Sequence, residues 1–306
     1  MENQKIPLYK VRSFGEKIGD TFGFVSENIK PMLKFISLFI LPVALVMGWV
    51  MNGYANGLAL MSRQMANRGD ASTDEVMTFV LSVGAFLLTA VLAYTLLYAV
   101  VYGLMRVYGE RENGLKNLAW SEFKPTFFHL LGRTVKLAIF WAVAGTLLVV
   151  ALVAVVAFAV KQFGLVAIIP IYALLFAVLI PLSLMAPIYL FEDDTTLLTS
   201  LTKSLRLGFK TWGGVLAVTL VLSLIVGLVV GIVSLPWSIA LMMKAMFAAT
   251  GGGDGFSETV GFNLVLYLLS VLQAFVSFLC YSILIIGLAY QYGHAAEKVE
   301  KTNLAS

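Results

Sequence analysis

Charged side chains are scarce in this sequence. Asp, Glu, Lys and Arg together make up 12% of its 306 residues, against 60% hydrophobic ones. A soluble domain carries roughly 25% charged residues because its surface must face water. Half that share excludes an ordinary water-soluble globule. Cysteine is nearly absent too: the lone Cys280 excludes an intrachain disulfide and leaves the redox compartment undefined. Two histidines, His129 and His294, are too few to build a metal centre on their own. No Ser/His/Asp set, His-Glu metalloprotease motif or paired-Cys motif is present. The chain therefore reads as non-enzymatic, with no catalytic residues, no metal site and no cofactor.

What the sequence does contain is long apolar runs. Its mean hydropathy is +0.91. The longest stretch without Asp, Glu, Lys or Arg covers 38 residues, from Thr259 to Ala296. One bilayer crossing needs only about 20 apolar residues. Six runs qualify as transmembrane helices: Phe35–Tyr54, Met77–Met105, Leu137–Val160, Leu165–Phe191, Val215–Met243 and Asn263–Tyr290. Only Lys161-Gln-Phe-Gly164 separates the third from the fourth. One continuous helix over both would exceed twice the hydrocarbon thickness of about 30 Å, so the pair is a tight hairpin. The fold class expected is an all-α integral membrane protein, with residues 1–306 forming one transmembrane domain. Some 34 mostly polar or amphipathic residues precede the first run, so no cleavable signal peptide is expected and the first span acts as an uncleaved insertion signal.

Lys and Arg orient the spans. Residues 1–34 carry six, 106–136 six, 192–214 three and the tail two, which places seventeen on one side. The other side has four: Arg63, Arg68, Lys161 and Lys244. The positive-inside rule then puts both termini in the cytoplasm. Aromatic residues agree, with Trp49, Tyr54 and Trp237 near outer span ends and Trp212, Tyr290 and Tyr292 near inner ones. The net charge of +4 and pI near 9.0 thus reflect orientation and anionic headgroups, not nucleic acid. Short outer loops leave no room for an extracytoplasmic domain.

Three cytoplasmic segments, approximately 13–30, 113–131 and 195–212, precede the first, third and fifth spans. In the first, Phe14, Ile18, Phe22, Val25, Ile29 and Met32 form one helical stripe opposite Glu16, Lys17, Asp20, Glu27 and Lys30. Ser13-Phe-Gly-Glu16 matches a capping box, and Pro31 marks the break before the span. In the third, Leu198, Leu201, Leu205, Phe209 and Trp212 oppose Lys203, Arg206 and Lys210, with Thr195 or Thr196 as cap. The middle pattern is rougher: Leu115, Leu118, Phe123, Phe127 and Leu130, interrupted by Pro125. Basic amphipathic helices lie in the membrane interface. The chain reads as three parallel repeats of interfacial helix plus two-span hairpin. Candidate contacts to lipids or a partner protein are Lys17, Lys30, Lys34, Lys203, Arg206, Lys210 and Trp212.

The stretch Thr196–Val221, with Ser204, Lys210 and Trp212 before an apolar span, resembles a recurring motif of a group of bacterial membrane proteins. That group includes the membrane domain attached to some glycerophosphodiester phosphodiesterases and related standalone inner-membrane proteins of unassigned role. Phe14-Gly-Glu-Lys17 through Asn28-Ile-Lys-Pro31 is similar to its first amphipathic element, and Glu192 at the inner end of the fourth span also fits. The soluble catalytic barrel, rich in His, Glu and Asp, is missing. The resemblance implies a membrane module without phosphodiesterase activity.

No ionisable residue falls inside the six runs, so proton relays and voltage sensing lack their usual groups. Polar faces remain. Tyr94, Tyr98 and Tyr102 share one face of the second span, and Ser270, Gln273, Ser277 and Tyr281 one face of the sixth. Of these, the tyrosines with Gln273, Ser277 and Tyr281 form the candidate intramembrane face. They line a polar path or bind a headgroup; otherwise they are interhelical packing with satisfied hydroxyls, the reading adopted here. Pro170, Pro181 and Pro187 bend the fourth span, with neighbouring helices and Ser183 satisfying the freed groups. Gly227 and Gly231, or Gly15, Gly19 and Gly23, permit close helix approach, in a dimer or internally. Glu192-Asp193-Asp194 holds a divalent cation or, the favoured reading, caps the following helix. Gly251–Gly255 is a flexible turn, lacking the Lys of a phosphate loop.

Three functions compete. The first is a non-enzymatic membrane module contacting lipids or partner proteins, a second copy of itself included, through its amphipathic helices. The second is a transporter or permease-like component for an uncharged or amphipathic substrate, using the tyrosine and glutamine faces. The third, a membrane-embedded enzyme, has only Glu192–Asp194 and His129 to draw on.

Overall fold

The computed structural model describes residues 5–67, 72–250, 255 and 259–304. Among them are nine α-helices and no β-strand: α1 Phe14–Glu27, α2 Ile29–Asn67, α3 Thr73–Glu110, α4 Trp120–Phe163, α5 Ile168–Leu182, α6 Met185–Phe191, α7 Leu197–Lys210, α8 Trp212–Thr250 and α9 Val260–Leu304. Six helical stretches are long and apolar enough to cross a bilayer: Ile29–Arg63, Thr73–Glu110, Trp120–Phe163, Ile168–Phe191, Trp212–Thr250 and Val260–Val299. The protein is a multi-pass, all-helical membrane protein. Each of the six contains its expected apolar run, save that Leu165–Ala167 of the fourth forms a separate 3-10 turn. Most are longer than a bilayer needs, because helix continues into segments read as loops; α2 extends past Tyr54 to Asn67. The Gly251–Gly255 turn falls outside the described residues except for Gly255, and Arg68 also lies outside them.

Local chemistry sets the boundaries. Ser13 caps α1 through a complete capping box with Glu16. Those bonds, backbone first, hold the Glu16 carboxyl down at about 2. The break before the first span falls at Asn28, not at Pro31: Asn28 ends α1, and its side-chain amide donates to Phe24 O at 3.0 Å. Pro31 instead occupies the third position of α2, where a missing N–H removes no helical bond. Thr196 caps α7, accepting from Thr199 N. The hairpin between the third and fourth spans turns at Gly164, whose φ of +73° is left-handed and suits glycine.

The middle interfacial helix does not exist as a separate element. Helix α4 starts at Trp120 and runs unbroken through Pro125 into the span. Moreover, Leu115, Leu118, Phe123, Phe127 and Leu130 are all buried, so this stripe faces protein. Phe123 packs against Gly103, where a Cβ would come within 3.0 Å of its ring. A stripe consumed in packing is unavailable for a membrane surface, so the segment differs in role from those before the first and fifth spans.

The fourth span is broken, as its prolines imply. Helix α5 ends at Leu182 and α6 begins at Met185. Pro181 cannot donate to Ala177 O, and Trp212 Nε1 donates to that carbonyl instead, at 3.0 Å. Ser183 Oγ donates to Ile180 O at 2.7 Å. Helix α7 meets this bend through Gly208, where a Cβ would lie 2.5 Å from Pro181 Cα.

The chain divides into two compact units, with the divisions inside α2, α3, α8 and α9. The first comprises Met1–Met32, Tyr98–Leu224 and Ile283–Ser306. Its core includes Ile180, Leu184, Ile188, Leu207, Val215 and Tyr292. The second comprises Leu33–Leu97 and Ile225–Ser282. There α2 and α9 approach at Gly48, where a Cβ would lie 2.4 Å from Val271 Cγ2, and Tyr267 OH donates to Leu45 O at 3.3 Å.

Gly208→Ala is expected to destabilise the detergent-solubilised protein by about 2 kcal/mol or more, since the clash is with backbone. Gly19→Ala, with nothing within 4 Å of its Cβ position, should be neutral or stabilising by about 0.5–1 kcal/mol. Thermal unfolding of both variants checks the contrast.

Candidate functional site

Helices α1 and α7 turn unusual faces toward the protein. The buried residues of α1 are Lys17, Thr21 and Phe24; those of α7 are Ser200, Ser204, Leu207 and Gly208. Their apolar stripes are exposed in part. Phe14 is 45% and Ile29 48% exposed, Leu198 67% and Phe209 52%. Ile18, Phe22 and Val25 are half-buried, as are Leu201, Leu205 and Trp212, while Met32 is buried. A soluble protein would bury the stripe and expose the serines and lysine.

The candidate contact residues divide accordingly. Lys30, Arg206 and Lys210 are exposed in the first unit, and Lys34 is exposed in the second. Lys203 is committed to Glu192, with Nζ 2.6 and 2.7 Å from the two carboxylate oxygens. Trp212 packs on the first unit's core. Lys17 is only 4% exposed and cannot serve as a surface lipid contact, because α1 turns it inward. Burial, followed by the repulsion of Lys298 and Arg12, pushes its ammonium down to about 8.

Glu192, Asp193 and Asp194 lie between α6 and α7. Glu192 accepts from Lys203 and from the Tyr292 hydroxyl, which also meets Tyr9 OH at 3.2 Å. Arg106 grips Asp193 with two nitrogens, one at 2.9 Å, and holds its carboxyl below the usual range. His129 Nε2 stands 3.9 Å from the same carboxylate. Capping belongs to Thr196 rather than to these acids. Arg133 supplies the other half of the junction. Its guanidinium donates to the carbonyls of Tyr189, Glu192, Asp193 and Thr195 and stacks 4.1 Å from the Tyr189 ring centroid. Cations thus close the end of α6 and neutralise the acids beside it.

Residues 5–13 form a strap on the first unit. Arg12 donates to Asp20 at 2.6 Å, to Leu8 O at 2.8 Å and to Pro7 O, and lies 4.8 Å over the Tyr290 ring. Its backbone N–H donates to His294 Nδ1 at 2.9 Å. Gly293 admits the strap: a Cβ there would lie 2.1 Å from Leu8 O. Beneath the strap is a cavity of about 200 Å³, lined by residues including Ile6, Leu8, Phe24, Met105 and Tyr290.

The intramembrane polar residues fall in two groups. Tyr98 and Tyr102 belong to the first unit, 5.6 Å apart by ring centroid, and Tyr102 also packs edge-on against Phe191. The Tyr102 hydroxyl is buried without a hydrogen-bond partner among the described residues, against the expectation of satisfied hydroxyls. Tyr94, Gln273, Ser277 and Tyr281 belong to the second, where Tyr94 packs edge-on against Phe278 and Tyr281. Gln273 Oε1 is likewise buried and unpartnered there. Gly227 and Gly231 meet nothing within 4 Å of their Cβ positions.

Sequence reading missed Lys244. Placed among outer-loop cations, it is instead 5% exposed within the second unit, and its ammonium donates to Asn56 Oδ1 and, at 2.7 Å, to Asn263 Oδ1. A cluster of Asn52, Asn56 and Asn263 flanking the same span ends was the available signal. Arg12, Arg133 and Gln291 were missed because neither spacing nor motif marks them.

Two outcomes follow. Arg133→Ala should destabilise the protein by about 2 kcal/mol, and Arg133→Lys should restore less than half, since a point-charge ammonium cannot span four carbonyls; thermal unfolding measures both. For Lys17, a folded value of about 8 against the ordinary 10.5 means that its charge burdens the fold below pH 8. That burden lifts as pH rises toward 10.5. The melting advantage of Lys17→Met over the parent should therefore be largest below pH 8 and close above it. No known family, curated protein or solved structure matches this chain.

Proposed function

We propose that this protein is a non-enzymatic module of a bacterial inner membrane, with both termini cytoplasmic, that engages lipid or a partner protein through α1 and α7 lying in the inner interface. The observation that carries this reading is the set of large apolar residues that the two helices leave exposed while polar side chains are buried. Small and polar residues of α1 and α7 pack inward while Phe14, Ile29, Leu198 and Phe209 face out. An outward apolar stripe is stable against acyl chains and costly against water. Exposed Lys30, Arg206 and Lys210 suit the anionic headgroups bordering such a position. The positive-inside count supports the orientation. The resemblance to the membrane domain of glycerophosphodiester phosphodiesterases agrees with a module of this kind. A permease-like role ranks second, supported by the buried, unpartnered Tyr102 hydroxyl and Gln273 oxygen.

Single nitroxides at Phe14→Cys, Leu198→Cys and Phe209→Cys, in a Cys280→Ser background reconstituted in vesicles, test the first reading. Power saturation should show greater access to oxygen than to a water-soluble nickel chelate at all three, and the reverse at Lys210→Cys. Equal chelate access at all four positions would remove α1 and α7 from the interface. A cytoplasmic reporter active after residue 306 and silent at residue 253 is the result expected for orientation.

A further inference from the structure

The strap closes over a space that the first unit does not fill. The cavity of about 200 Å³ lies between residues 5–8, α1, the C-terminal end of α3 and α9, all within that one compact unit. Packed interiors hold few voids larger than a water molecule, and an apolar cavity of about 150 Å³ already admits benzene. Phe24, Tyr108 and Tyr290 supply three aromatic walls. Phe24 stands edge-on to Tyr108 at 5.0 Å and to Tyr290 at 6.5 Å between ring centroids. Met105 adds a thioether. The cavity reaches the surface at Pro7 and Gly109, which line it and are exposed. A Cβ at Gly109 would meet nothing within 4 Å, so the mouth is open beside that residue.

Two polar groups on the walls have donors to spare. Lys5 is the one charged residue in the lining. Its ammonium donates to Arg111 O, and among the described residues no carboxylate pairs with it, which leaves two of its three donors. Tyr290 is 1% exposed, and its hydroxyl makes no hydrogen bond to any described residue. Buried hydroxyls normally find a partner. The Tyr108 hydroxyl does: it accepts from Ile6 N and donates to Glu27 Oε2, both at 3.1 Å. Glu27 itself is exposed, so water screens its charge. Arg12, stacked 4.8 Å from the Tyr290 ring centroid, is offset by Asp20.

We propose that this cavity binds a small aromatic carboxylate, its ring among Phe24, Tyr108 and Tyr290 and its carboxylate accepting from the Lys5 ammonium and the Tyr290 hydroxyl. Rings that meet edge to face gain beyond the area they bury, and a thioether packs well at a ring edge. The volume limits the body to one ring. An amine of the same size would meet the Lys5 charge with its own sign. Because the strap contributes Lys5 and Ile6, the bound molecule would also fasten the strap to α3 and α9. The site does not depend on where α1 and α7 lie in the membrane.

The test uses full-length protein in neutral maltoside detergent at pH 7, labelled with methyl-13C methionine, with the Met105 signal assigned through Met105→Leu. Titration with phenylacetate should shift that signal saturably. 2-Phenylethylammonium, phenylacetamide and hexanoate should each bind at least about fivefold more weakly. Lys5→Gln should weaken phenylacetate by about fivefold or more, whereas Lys10→Gln, an exposed strap lysine, should stay within twofold. Tyr290→Phe should also weaken binding, yet melt no lower than the parent, since the hydroxyl it removes has no partner. Gly109→Leu should close the mouth and remove the saturable shift. If Gly109→Leu fails to fold, Lys5→Gln and Tyr290→Phe decide. No saturable shift at Met105, undiminished affinity in Lys5→Gln or Tyr290→Phe, an equal loss in Lys10→Gln, or a comparison ligand binding as tightly as phenylacetate would each overturn the proposal.

Discussion

Inside hydrocarbon a peptide group has no water to turn to, and each unsatisfied N–H or C=O costs several kcal/mol. The architecture follows from that constraint. Helices long enough to carry the backbone through satisfy nearly every group within themselves, and the places where they cannot are met by particular side chains. At the bend of the fourth span Pro181 leaves Ala177 O without its donor, and the Trp212 indole supplies one at 3.0 Å. At the end of α6 four carbonyls converge on one guanidinium, that of Arg133. These two side chains tie α4, α5, α6 and the α7–α8 junction into one unit, because the backbone offers them no cheaper partner.

With lipid on one side of a helix, burying apolar surface in protein brings little gain, and close backbone approach takes over as the organising force. The glycines show it. Gly208 sits against the Pro181 backbone, Gly293 against Leu8, and Gly287 against Leu222, where an added Cβ would lie 2.0 Å from Cδ1. Ser200, Ser204 and Gly208 line the inward face of α7 for the same reason, leaving Leu198 and Phe209 for the outside. The segment before the third span departs from the pattern because Phe123 and Leu130 pack against α3, with Gly103 making room for them.

Charge is distributed with economy. Glu192 and Asp193 are consumed by Lys203, Tyr292 and Arg106, and Asp20 by Arg12. A divalent cation would have to displace those partners. Two lysines are buried on different terms: Lys244 rests on the amide oxygens of Asn56 and Asn263, whereas Lys17 lies close to Gly214 at the start of α8.

The sequence by itself determined the membrane class, the number of spans and the capped starts of α1 and α7. Apolar run length, capping boxes and proline act locally, through hydration and the geometry of a few adjacent residues. It did not determine which face of an amphipathic segment meets protein, because a stripe of Phe and Leu satisfies either acyl chains or a neighbouring helix; Phe127 and Phe209 have the same chemistry and opposite fates. Nor did it mark Lys17, Gln291 and Gly214 as neighbours, since they stand on three helices far apart in the chain. Burial without a partner belongs to the packed arrangement, and only tertiary structure creates it.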